Sequence, residues 1–183
     1  MKNNNTAKHN KPNQALSVIV PVVSGIVALL LALLMPGANK ITGQSSRTEV
    51  NLIGLMFGKV KWTLYGGHLT QTTIYQGSLS YFGLGSIIFL FLGIGFSIAS
   101  VYIDGKKLDL IGAILVSLAG VLAFFVLVGG TDVIQNVGMG EMYSSTTPFA
   151  EFYKGWKLSY GVYVYAIICL FGGIFGIVNI ARK

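Results

Sequence analysis

Apolar and polar positions in this chain come in long blocks. Four blocks carry no charged residue: 16–35, 82–103, 110–130 and 158–180. Each is about 20 residues, the length that matches the hydrocarbon core of a bilayer. The second and third are joined only by Asp-Gly-Lys-Lys-Leu-Asp, so they predict an antiparallel membrane hairpin. All four charges of that pair, Asp104, Lys106, Lys107 and Asp109, sit in the link. Basic flank and apolar run at 16–35 also suit a signal peptide, but the run is longer than a usual signal core. Cutting after Ala38 would put Pro36 at the −3 position, so a retained span is expected. Pro21 falls near the start of that span, where a helix tolerates it best.

The polar intervals have patterns of their own. KVKWTLY (59–65) alternates, with Val60, Trp62 and Leu64 on one face and Lys59, Lys61 and Thr63 on the other. A period of two indicates a strand. Gly66-Gly67 and the threonine-rich HLTQTTIYQ (68–76) follow, which reads as a β-hairpin. VNLIGLMFG (50–58) fits either a third strand or a segment dipping to the interface. In the second interval, Thr147-Pro148 resembles a helix start. Phe149, Phe152, Tyr153 and Trp156 then recur at helical spacing, while Glu151, Lys154 and Lys157 point elsewhere. This predicts a short aromatic helix, lying in the headgroup plane or packed on the protein's own outer structure.

The expected fold is therefore an all-α membrane protein. It is a four-transmembrane-helix bundle with a small β-hairpin-bearing outer loop. Residues 1–15 form a disordered polar tail, and 36–81 and 131–157 are the outer loops.

Composition agrees. Hydrophobic residues make up 53 % of the chain and charged residues 10 %, against about 25 % charge in soluble domains. The net charge of +7 does not point to nucleic acid, because the basic residues flank the spans and no basic patch is interleaved with stacking aromatics. Their placement sets orientation. Lys2, Lys8, Lys11, Lys106, Lys107, Arg182 and Lys183 crowd the short segments on one side. Lys40, Arg47, Lys59, Lys61, Lys154 and Lys157 are spread over the longer loops on the other. Positive charge in short flanks marks the cytoplasmic side. Both termini are thus expected in the cytoplasm, with Lys106, Lys107, Arg182 and Lys183 as anchors. A plasma membrane, bacterial by the missing loop cysteines and the asparagine- and lysine-rich tail, is the expected location.

Small residues recur four apart within the spans: Ser24, Ala28 and Ala32; Gly93 and Ser97; Gly95 and Ala99; Ala113 and Ser117; Gly172 and Gly176. Such faces let helix backbones approach closely in lipid. They serve packing within one subunit or contact between copies. No ionisable residue lies inside the four blocks, which argues against a pump or proton-coupled carrier.

Catalytic patterns are missing. His9 and His68 are isolated, the single cysteine is Cys169, and no HExxH, GxSxG or phosphate-loop motif occurs. No metal or cofactor is expected. Asp132, Glu141 and Glu151 are the acidic residues of the second outer interval. In plan the chain resembles claudin-like tetraspan proteins, with four spans and a larger, strand-bearing first outer loop. It lacks the claudin signature of tryptophans followed by a cysteine pair: Trp62 stands alone in a loop without cysteine. No residue role carries over, and fold likeness does not give function.

The reading is an accessory or structural membrane subunit, not an enzyme. Its partners are the lipid bilayer and another membrane protein or a second copy of itself, met through Trp62, Tyr65, Phe149, Phe152, Tyr153 and Trp156. The alternatives are an oligomeric channel or small-solute pathway, and an interfacial lipid-handling enzyme.

Overall fold

The first helix begins earlier than its apolar run. A computed structural model describes residues 11–41, 47–57, 59–64, 71–76, 79–103, 106–136 and 144–182. In it, α1 runs Lys11–Leu34. It takes in 11–15 of the segment read as a disordered tail, with Pro12 in the first turn, where no backbone N–H is needed. Residues 1–10 lie outside the described residues. The long helices that follow are α3, Tyr81–Ile103, α4, Lys106–Ala123, and α6, Tyr160–Ala181.

Among the described residues, three helical segments are long and apolar enough to cross a membrane: Leu16–Leu34, Tyr81–Ile103 and Tyr160–Ala181. The α4 helix falls short of that standard because its 18 residues include Lys106, Lys107 and Asp109. Past Ala123 the chain tightens into i→i+3 bonds, from Phe124 N–H donating to Val121 O at 3.2 Å to Val128 N–H donating to Phe125 O at 2.9 Å. The outward face of this stretch stays apolar, with Ile111, Ile114, Leu118, Val121 and Phe125 all exposed. The same is true of Ile19, Val23, Ile26 and Leu30 on α1 and Ile167, Phe171 and Ile174 on α6.

The helices pack in the order α1, α6, α4, α3, and the ring closes more lightly between α1 and α3. Glycine makes the contacts close. A methyl on Gly93 would meet Val116 Cγ2 at 2.8 Å and Gly112 O at 2.9 Å. One on Gly173 would meet Ser117 N at 2.8 Å, and one on Gly120 would meet Ala166 O at 2.8 Å. Because α1 starts at Lys11, Pro21 lies well inside it, not near its start. Its ring faces the glycine side of α6, where a methyl on Gly176 would come within 2.7 Å of Pro21 Cγ.

At one end of the bundle sits a head built from both polar intervals. Beyond the single hairpin expected, it holds, among the described residues, seven strands in two sheets. β1, Pro36–Ile41, pairs antiparallel with β2, Arg47–Asn51, and with β7, Lys157–Leu158. Ala38 is opposite Val50 on one side and Leu158 on the other. The second sheet has the order β3, Lys59–Leu64, β4, Gln71–Gln76, β5, Val133–Asn136, and β6, Ser144–Thr147. In it, Lys59 is opposite Gln76 and Leu64 opposite Gln71. The undecided segment 50–58 divides: β2 ends at Asn51, and α2, Leu52–Phe57, follows. The Asn51 side-chain oxygen accepts from Gly54 N–H at 3.1 Å, which caps that helix and stops the strand.

Head and bundle share one core. Val50, Leu52, Leu55, Met56, Val133, Phe149 and Trp156 are contiguous with Ile87, Leu90, Val126, Val162 and Tyr165. Backbone bonds reinforce the join: Leu52 N–H donates to Met35 O at 2.9 Å and Ser159 N–H to Gly37 O at 3.0 Å.

Candidate functional site

The aromatic stripe of the second interval faces inward. α5 is only Phe149–Phe152, following Pro148. Phe149, Phe152, Tyr153 and Trp156 are between 3 and 8 % exposed. Their rings pack on one another: Phe149 and Tyr153 have centroids 4.5 Å apart, Phe152 and Tyr153 4.9 Å, and Tyr153 and Trp156 5.5 Å. Edge and tilted geometries of this kind add to area burial. This corrects the reading of these four as an outer contact surface. They form the core of the head, because the chain turns back at Gly155, whose φ of 82° suits glycine, and covers them. Of the other two residues assigned to that surface, Trp62 pairs through its backbone with Thr73. Its side chain, and all of Tyr65, lie outside the described residues. The apolar side chains that the head does expose include Ile41, at 71 %, with Phe57 and Ile134.

The small-residue faces are mostly consumed inside the subunit. Ala28, Ala32 and Ser97 are fully buried. Gly172 abuts Ser24, Gly176 lies against Ala113, and Gly93 faces α4. Gly95 differs: it is exposed and a methyl there would meet nothing within 4 Å. The anchor residues Lys106, Lys107 and Arg182 stand at the end of the bundle opposite the head, where α4 begins and α6 ends. Lys107 and Arg182 are exposed, and Lys183 lies outside the described residues.

That end holds an arrangement with chemistry in it that sequence reasoning missed. Asp109, placed in the link on sequence grounds, belongs to the first turn of α4. An acid there opposes the helix dipole favourably. Its side chain turns inward because it shares a stripe with Gly112, Val116, Ala119, Ala123 and Val126, none of which is exposed. Asp109 is only 4 % exposed. The four uncharged blocks stand, but α4 begins before its block and carries Asp109 into the bundle. Ser17 Oγ, on α1, donates to Asp109 Oδ2 at 2.7 Å. Asp109 Oδ1 is buried and has no hydrogen-bond partner. On α3, Ser97 Oγ is likewise buried and unpartnered, and it lies against Gly112, one turn deeper than Asp109 on α4. Ser100 Oγ donates to Ser97 O at 2.7 Å. Beside this polar layer, α1 and α3 leave an open apolar groove of about 220 Å³ between Val18, Val22, Ile98 and Tyr102.

Further along the bundle Ser86 and Ser80 are satisfied, whereas Ser159 Oγ, just before α6, is buried without a partner. Ser86 Oγ donates to Ala119 O at 2.7 Å and lies 3.0 Å from Tyr165 Oη, and Ser80 Oγ donates to Val126 O at 2.6 Å. Asp132 and Glu151 are exposed, and Glu141 and His68 lie outside the described residues. Among the described residues, no three His, Cys, Asp or Glu side chains gather in metal-binding range. No protein-family model matches the chain, and no curated protein does.

Proposed function

We propose that this protein is a four-span integral membrane subunit with a structural or accessory role, which holds its head at the membrane surface for another membrane protein to bind. The observation that carries the reading is the filled bundle axis. Gly93 against Gly112 and Val116, Gly120 against Ala166, and Gly173 against Ala113 and Ser117 bring helix backbones together along its length. Packing of this kind suits a scaffold. The apolar outward face of α4 from Ile111 to Phe125 supports counting it as the fourth span, with its charges at the water boundary. The crowding of basic residues at the end opposite the head supports cytoplasmic termini and an outward-facing head, in a plasma membrane of bacterial type. Exposed Ile41, Phe57 and Ile134 supply the apolar contact a partner would cover.

The test is purification in mild detergent. A membrane partner should co-purify in fixed stoichiometry, and Ile41→Lys or Ile134→Lys should weaken its retention without changing expression. A monodisperse protein with no partner, or ion conductance from the protein reconstituted alone, would overturn the assignment.

A further inference from the structure

A carboxylate taken out of water needs its lost hydration replaced. Asp109 receives one hydrogen bond from a neutral hydroxyl on Oδ2, and none on Oδ1. Of the cations at this end whose side chains are described, Lys107 and Arg182 are exposed. A second unmet oxygen stands close by. Ser97 Oγ is fully buried on α3 and rests on Gly112, the residue one helical turn from Asp109 on the same inward stripe. Ser100, a turn nearer the helix end, uses its proton on Ser97 O and keeps its lone pairs free.

We infer that Asp109, Ser97 and Ser17 form a binding site for a small monovalent metal cation, of which Na⁺ is the representative. The donor set is all oxygen, which selects hard cations. It carries one negative charge, which balances a monovalent ion; divalent sites gather more carboxylates or substrate phosphates. A cation between the two groups would take a lone pair from each and tie α1, α3 and α4 together. This site is independent of whether the head binds a partner.

The experiment uses the full-length protein in detergent and follows thermal unfolding at constant ionic strength as NaCl replaces choline chloride. The wild-type Tm should rise with Na⁺ and saturate, as mass action on the folded state requires. Asp109→Asn should abolish the Na⁺ dependence, and Ser97→Ala should move its midpoint to Na⁺ concentrations several-fold higher. Line broadening of the ²³Na resonance by wild-type protein, reversed by excess Li⁺, gives a reading that requires no variant to fold. Identical Tm in NaCl and choline chloride, with no broadening, would overturn the site. So would stabilisation by acid alone that Asp109→Asn removes, since that marks a proton and not a metal ion. An unchanged midpoint in Ser97→Ala would remove Ser97 from the set and with it the three-helix geometry argued here.

Discussion

At the scale of single residues, the interior is governed by what lacks a side chain. Gly173 and Gly95 make a controlled pair. A Cβ on Gly173 meets the Ser117 side chain and backbone and Ala113 O, so it cannot be absorbed by a rotamer change. Gly173→Val should cost about 1–3 kcal/mol through overpacking, read as a lower Tm in detergent. Gly95→Ala meets nothing within 4 Å and removes the helix penalty of glycine. Its Tm should equal the wild type or exceed it; a fall comparable to that of Gly173→Val would contradict the packing described. Asp109 was legible in principle. Gly112, Val116, Ala119, Ala123 and Val126 recur at alternating steps of four and three, and one further step of three backwards lands on Asp109. What hid it was the change from apolar to charged composition at Leu110, which marks where lipid contact ends and not where the helix begins.

At the scale of elements, the long helices were plain from block length alone, to within a few residues at most ends. The segment after Thr147 shows why shorter ones are harder. Its aromatic period of three and four specifies a sticky face but not what covers it, because lipid headgroups and a protein core satisfy the same pattern. The structure buries the face in the head. Trp156→Ala should therefore cost about 3–5 kcal/mol as a core truncation, and limited proteolysis should show early cleavage in the head with the helices still protected. Resistance equal to the wild type would mean that the cluster is not structural. β5 and β6 escaped notice because VIQN and SSTT are four residues each, too short for a period of two to register. β1, PGANKI, lacks the alternation altogether and is a strand because its two neighbours make it one.

At the scale of the whole molecule, the sequence was informative about what touches lipid and nearly silent about what closes the head. The proposed orientation rests on charge, and it can be checked simply. A reporter fused after Lys183 should be active only if it reports cytoplasm. Activity of a reporter that requires export would reverse the molecule in the membrane and place Asp109 on the outer side. Pairing across the two polar intervals could not be inferred, since each sheet draws strands from segments separated by the whole α3–α4 hairpin.

The join of β1 to β7 has a consequence for how the molecule is made. β1 and β2 leave the ribosome early and β7 almost last, so in the proposed four-span topology Ala38 finds Leu158 only after α3 and α4 have entered the bilayer. Pairings of such long range form slowly, and their unpaired edges invite misassociation in the meantime. Until the last helix is placed, one edge of β1 is open. Synthesis halted before Lys157 would leave the nascent chain anchored in the bilayer with that edge still bare, a form quality-control proteases are suited to remove.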